Sequence, residues 1–284
     1  MLKSWSYCYE TFTSNPHHKS MSAMTLSMPR PFRSSRLLAA GTHLMISLAV
    51  AAAAAWLVFG MWYPYPYREI SGGRELFFIV IAVDVVLGPL LTLTVFNRSK
   101  PVRELRRDLS IIGLLQLAAL AYGLWTVSVA RPVHLVFEMD RFRVVHAIEV
   151  PDAELDQAPP ELRHLPWTGP TLLSMRAFRN DKEKVDMTLV ALGGTPLGAR
   201  PGLWQGYEKA RIQVTAATKP LANLKTRFPA QAGLIDAALK SAPGADRPEA
   251  ALGYLPIAGR DKYWTALLDL NTTEVIAFVP IDSF

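Results

Sequence analysis

The sequence predicts a membrane protein in two parts. An N-terminal region of three transmembrane helices is followed by an exported α+β domain with antiparallel strands. Three observations predict it. Apolar residues collect in three long runs, at 43–62, 76–96 and 111–130, each near the ~20 residues needed to cross a ~30 Å hydrocarbon core. Basic residues crowd between the second and third runs. Beyond Arg131 the pattern turns to short strands, then helices, then strands again, the order of an α+β fold.

Taken in order, residues 1–36 are polar and unpatterned, and read as a disordered cytoplasmic lead. Met21, Met24 and Met28 are all plausible starts. Beginning at Met28 would leave a short basic lead of Arg30, Arg33 and Arg36, so part of the first 27 residues reads as an over-extended start. His17-His18 is then no ligand pair.

A transmembrane region is expected over 37–131. Its first run continues through Leu57, Val58, Phe59 and Met61, longer than the 7–15 apolar residues of a signal peptide, so an uncleaved helix is expected. Trp62-Tyr63-Pro64-Tyr65-Pro66-Tyr67 reads as an interfacial aromatic belt with a proline stop. The loop that follows carries Arg68, Glu69, Arg74 and Glu75 around Gly72-Gly73. It is a candidate contact cluster, for which interfacial salt bridges are the plainer account.

The second run holds one carboxylate, Asp84. An ionised Asp at mid-bilayer costs at least about 2.5 kcal/mol, so it faces protein rather than lipid. Asp84, Gly88 and Thr92 recur every four residues and share one stripe of the helix. Gly88 admits a close backbone, Thr92 can hydrogen-bond across the contact, and Pro89 removes a donor and kinks the helix. The stripe reads as a packing surface for the chain's own helices or for a guest helix. Depth arithmetic at ~1.5 Å per residue puts Asp84 and Tyr122 both roughly 18 Å from the cytoplasmic side. Tyr122 is therefore the expected donor to Asp84, with Gln116 nearer the cytoplasm.

Orientation follows from the loops. Arg98, Lys100, Arg103, Arg106 and Arg107 lie between runs two and three, while the first loop carries only Arg68 and Arg74. Loops rich in Lys and Arg stay cytoplasmic, so the N-terminus is inside and residues 132–284 are outside, in the periplasm of a Gram-negative cell. The net charge of +6 belongs to the membrane half, because residues 132–284 hold 17 Lys or Arg against 18 Asp or Glu. Nucleic acid is excluded as the outer domain's partner, since phosphate binding needs a concentrated basic footprint.

That domain opens with a hairpin: Val133, Leu135 and Phe137 alternate, a turn falls at Asp140-Arg141, and Val144, His146 and Ile148 return. A two-residue loop would set Glu138 opposite Arg143. His134 and His146 fall on opposite faces and cannot share a metal. A Pro-rich acidic loop over 151–170 offers Trp167 as an anchor. Residues 181–192 read as an amphipathic helix with Val185, Leu189 and Leu192 as its apolar stripe, stopped at Gly193-Gly194. Short helices are expected at 203–213, 219–227 and 229–241, and strands at 252–257, 263–269 and 274–279.

Chemistry is hard to find. Cys8 is the only cysteine, which excludes an internal disulfide and a thiolate metal site. No GxSxG, HExxH, P-loop or Rossmann pattern occurs. The carboxylates Asp152, Glu154, Asp156 and Glu161 sit in the Pro-rich loop, where solvation explains them better than acid–base work. No catalytic residue, metal or cofactor is expected, and the chain reads as a non-enzyme.

A family likeness rests on particular residues. Arg68-Glu69-Ile70-Ser71-Gly72-Gly73-Arg74-Glu75-Leu76, then Asp84-Val85-Val86-Leu87-Gly88-Pro89-Leu90-Leu91-Thr92, resemble the membrane signature of the type IV pilin accessory proteins (TfpX/TfpZ family). Arg103-Glu104-Leu105-Arg106-Arg107-Asp108, Gln116, Tyr122-Gly123, Asp140-Arg141-Phe142 and Val279-Pro280-Ile281-Asp282 continue it. The likeness covers about 36–284, is most specific at 62–145 and loose through 150–250. It implies an inner-membrane, chaperone-like accessory factor that stabilises a major pilin or helps its assembly into pili, in contact with the bilayer and with the pilus assembly machinery. The resemblance brings no catalytic residues. On this reading the Asp84, Gly88, Thr92 stripe, with Gln116 and Tyr122, receives the pilin's helix while the outer domain reads its head. The alternative is a membrane-anchored periplasmic ligand-binding or sensor protein. A sensor wants a cytoplasmic output module, and the inner loop of about 14 residues is too short for one.

Overall fold

The computed structural model describes residues 32–97, 99–242 and 247–284. Expectations for the lead up to residue 31, including Cys8, the alternative starts and His17-His18, lie outside the described residues.

Three helices, Ser35–Trp62, Gly73–Val95 and Val102–Val129, are long and apolar enough to cross a membrane by length and composition. All three reach beyond the apolar runs. The third begins at Val102, so Arg103, Arg106 and Arg107 stand on helix rather than loop. Its first turns are charged, and Lys100 Nζ ties them down, 2.8 Å from Asp108 and 3.6 Å from Glu104. The first and third helices both pack on the second. One end of the bundle is apolar, built on Ala54, Val58, Trp62, Phe77 and Val127, with Phe59 edge-on to Phe77 at 4.8 Å.

The rest of the chain is an α+β domain around one eight-stranded sheet. Its strands are β1 (Pro132–Glu138), β2 (Arg141–His146), β3 (Thr171–Met175), β4 (Trp204–Gly206), β5 (Lys219–Pro220), β6 (Leu252–Ala258), β7 (Tyr263–Asp269) and β8 (Val275–Val279). They run in the order β4-β3-β1-β2-β6-β7-β8, with β5 alongside β6. The sheet is mixed, which corrects the antiparallel expectation: β1 pairs parallel with β3, and β2 parallel with β6. Both parallel joins link strands that are distant in sequence, through the long connections such pairs require. Helices Leu221–Arg227 and Ala232–Lys240 cover one face through Leu221, Leu224 and Ile235. The other face carries Leu135, Phe137, Phe142, Leu255 and Ile257. With both faces covered, β1 and β6 are buried along their whole lengths.

The hairpin turns at Met139-Asp140, with Glu138 paired to Arg141 and Val136 to Arg143. The turn sits one residue earlier than expected, so the pairing differs from the expected Glu138–Arg143 match by two residues. The ion pair survives as a diagonal, because Arg143 Nε donates to Glu138 Oε2 at 2.9 Å. β2 ends at His146, whose amide donates to Glu149 Oε2 at 2.8 Å, so Ile148 leaves the strand and is exposed.

Helix Asp181–Leu192 forms where the periodicity places it, and Asn180 Oδ1 accepts the Glu183 amide at 2.8 Å as its N-cap. It is held by its polar side. Arg176 Nη2 meets Glu183 Oε1 at 2.7 Å, and this bond, with one from the Arg179 amide, lowers the Glu183 carboxyl to about 2. The apolar stripe is not buried as expected: Val185, Leu189 and Leu192 stand exposed on the domain surface.

Candidate functional site

Two junctions gather the polar and aromatic residues that the sequence singles out, one inside the helical bundle and one between the bundle and the sheet domain.

The first is centred on Asp84. The second helix changes to a π-helical turn over Val83–Leu87 and returns to α at Gly88. In the π register each amide reaches the carbonyl five residues back. The donor owed to the Asp84 carbonyl is then the amide of residue 89, and residue 89 is proline, which has none. Gln116 of the third helix supplies it instead, donating from Nε2 to the Asp84 carbonyl at 3.2 Å. Gly88 makes room for this, since a Cβ there would collide with the Gln116 side chain. Thr92, one turn further on, shares a 2.5 Å hydrogen bond with His43 Nδ1 of the first helix.

The stripe of Asp84, Gly88 and Thr92 therefore faces the chain's own first and third helices. Asp84 is 6% exposed and Thr92 2%. Tyr122 is placed elsewhere. It is 69% exposed and packs on Trp125, so the expected Tyr122–Asp84 bond is not made, and the Gln116 bond goes to the Asp84 backbone carbonyl rather than to the carboxylate. Gln116 and Tyr122 are six residues apart, about 240° around a helix of 3.6 residues per turn. Depth arithmetic fixes height along a helix and leaves that angle open.

His43 and Ser47 of the first helix are the residues sequence reasoning missed. They lie one turn apart on the face turned to the second helix, and Ser47 is buried. The polar i, i+4 pair at the head of an apolar run was the available signal. With Asp84 and Gln116 they line a cavity of about 240 Å3. Among the described residues Asp84 Oδ1 is buried and accepts no hydrogen bond.

The second junction is the loop between the first two helices. The stretch read as an aromatic belt divides between the two cores: Trp62 and Tyr63 pack in the bundle, Tyr65 is exposed, and Tyr67 enters the sheet domain. Tyr63 is fully buried and its hydroxyl donates to the Val127 carbonyl at 3.1 Å. Tyr67 and Ile70 belong to the sheet's core beside Phe142, Ile257 and Trp264. Burial pushes the Tyr67 phenol well above its usual range, so it stays neutral. Gly72 adopts φ 67°, and Gly73 has no space for a Cβ because the Tyr63 ring lies against it. Gly259 is equally close to Ile70, where an added Cβ would stand 2.6 Å from Cγ2.

The four charged residues of that loop are engaged within the chain. Arg74 Nη1 donates to Glu69 Oε1 at 3.1 Å, and Arg68 lies over the Tyr65 ring and 3.8 Å from Glu69. Lys262 donates to Glu75 Oε1 at 3.0 Å, joining the β6–β7 turn to the start of the second helix. On the other side of the joint, Trp167 meets Trp62 edge-on at 5.6 Å and Arg131 stacks over Trp167. The Gly169 amide donates to the Met61 carbonyl at 2.6 Å.

Neither histidine of the hairpin builds a site. His134 Nδ1 bonds Thr171 Oγ1 at 2.6 Å, and burial depresses its pKa to about 3, so the ring is neutral. His146 is held by Glu149. Among the described residues no group of three or more His, Cys, Asp or Glu could hold a metal ion.

Residues 31–72, the first helix and this loop, match the family model described as fimbrial assembly protein FimB. The chain is 38% identical over 246 residues to the fimbrial assembly protein of serogroup I from Dichelobacter nodosus, an alignment covering 86% of this chain and 94% of that one. It is 37% identical, with the same coverage, to the serogroup E1 protein of that organism. A third relative, the fimbrial assembly protein of serogroups C1 and C2, is 43% identical over 118 residues, 42% of this chain and 90% of that one. No solved structure matches the chain.

Proposed function

Because the chain belongs to the fimbrial assembly protein family, we propose that it serves pilus biogenesis as an inner-membrane accessory factor of the type IV pilin accessory kind. In this reading the three apolar helices span the membrane, the sheet domain lies in the periplasm, and the partner is a pilin subunit. A pilin waiting for assembly is itself a membrane helix with a soluble head. Its helper must reach both halves at once.

The observation that carries the reading is the joint at residues 62–73. Tyr67 and Ile70 place the membrane loop inside the core of the sheet domain, and Lys262–Glu75 and Trp62–Trp167 brace its two sides. A helical bundle locked to a head domain presents one continuous surface to a subunit of the same two-part design. The exposed Val185, Leu189 and Leu192 give the domain an apolar face for the pilin head. The role needs no catalysis, and the charged residues of the loop, Arg68, Glu69, Arg74 and Glu75, are engaged within the chain.

The test is made in cells lacking the chain, with the cognate pilin transcribed from a constitutive promoter. Pilin recovered from the membrane fraction is expected to fall severalfold, surface pili are expected to disappear, and both are expected to return with the plasmid-borne gene. Undiminished pilin and normal pili would remove the assignment.

A further inference from the structure

The first and third helices both pack on the second, and a lengthwise seam runs between them. At its centre is the cavity of about 240 Å3 lined by Ser47, Asp84, Gly113 and Gln116. A second hollow of about 480 Å3 continues along the first helix past Thr42 and His43 to Thr92 and Phe96. The rims carry the exposed apolar side chains of Ile46 and Leu117. Gly113 leaves the centre open, since a Cβ added there would meet nothing within 4 Å. Among the described residues that line the seam Asp84 is the one carboxylate, and the His43 ring lies on the same lining. The Asp84 side chain is more than nine-tenths buried, and Oδ1 is left without a donor by every described residue.

We infer that the seam receives the transmembrane helix of a partner protein, one carrying an amine at the depth of Asp84. The inference rests on the membrane reading proposed above and deepens it, giving the in-membrane half of the contact a place and a chemistry. Three arguments select this occupant. A lipid tail would fill the apolar rims but bring no donor to a buried carboxylate, and such a group in hydrocarbon needs a partner. A second copy of this chain lacks the amine, because residues 37–67, 75–97 and 108–130 contain no Lys or Arg. Among its larger apolar lining the seam includes small or hydroxyl-bearing residues, Ser47, Gly113 and Thr42, the types that admit a helix backbone closely. Asp84 stands eleven residues from either end of its helix, Gly73 or Val95, about 16 Å of rise each way. The amine must therefore sit near the middle of the guest helix.

The full chain with Cys8→Ser and Ile46→Cys, labelled at residue 46, is reconstituted in vesicles with acceptor-labelled synthetic Leu/Ala helices. Three helices are compared, with Lys, Leu or Glu at the central position. The Lys helix is expected to bind at least about tenfold more tightly than the Leu helix, and the Glu helix more weakly than either. Asp84→Asn should bring the Lys and Leu helices within about twofold of each other. Gly113→Leu, which fills the seam in open space and leaves the carboxylate alone, should exclude all three. Equal binding of the Lys and Leu helices would overturn the inference, as would a Lys preference that survives Asp84→Asn, or energy transfer between two copies of the chain at residue 46. Such a result with pilin recovery still dependent on the chain retires the seam and leaves the assembly role standing.

Discussion

Replacing Ile70 by aspartate is expected to open the sheet domain, although residue 70 ends a short helical turn, Tyr67–Ile70, well before the first strand. Ile70 is 1% exposed and packs in the same core as Leu135, Phe142, Ile257 and Trp264. Trimming a buried Ile to Ala costs about 2–5 kcal/mol. Aspartate adds an unpaired buried charge to that loss, against a total stability of about 5–15 kcal/mol for an ordinary domain. The measurement is protease resistance of the purified full chain in detergent, read by the survival of a fragment covering residues 132–284. Ile70→Asp should abolish the fragment and Ile70→Ala should shorten its lifetime. Arg68→Ala, which removes a solvent-exposed side chain, should change stability by about 1 kcal/mol or less. A sheet domain that resists protease equally in all three would show that the loop is not part of its core.

The second large effect is expected at Gly123 on the third helix. A Cβ at this position would stand 2.5 Å from Val80 Cγ1 and 3.2 Å from Val80 Cβ. Valine is held in one rotamer on a helix and cannot swing aside, so even alanine forces the second and third helices apart. Overpacking of this kind costs about 1–3 kcal/mol, and Gly123→Leu belongs at the upper end. Gly113 on the same helix is the internal comparison. Open space surrounds it, so Gly113→Ala should be neutral or gain about 0.5–1 kcal/mol from the lost flexibility of glycine. Titrating the purified chain with SDS and following helix loss by circular dichroism orders the three. Gly123→Leu should unfold at the lowest SDS fraction and Gly113→Ala at or above the parent. Gly88 stands between them, because the atoms it would meet are the mobile end of Gln116.

Much of this was legible in the residues, and the failures share a cause. The apolar runs, the shared stripe of Asp84, Gly88 and Thr92, the helix from 181 and the final three strands follow from periodicity, which is a local property. What a face packs against is not local. The stripe showed that Asp84 needed a protein partner without showing that Gln116 rather than Tyr122 lay at the matching angle. The π-helical turn that creates the need for Gln116 depends on Pro89 and on packing together. Val185, Leu189 and Leu192 had the spacing of a buried face and are exposed, because spacing does not say whether a neighbour is present. Tyr67 read as part of an interfacial belt since its neighbours in the core come from strands far along the chain. The two parallel strand pairs were hidden for the same reason.

The account turns on the loop at 63–72 and the sheet domain sharing one side of the membrane, with the 97–101 connection on the other. Single-cysteine chains made in a Cys8→Ser background test this directly, since Arg106 and Lys209 are both exposed. Treated with a membrane-impermeant maleimide, spheroplasts should label Lys209→Cys fully and Arg106→Cys only after lysis. Labelling of Arg106→Cys with Lys209→Cys protected, or equal labelling of both before lysis, would contradict it.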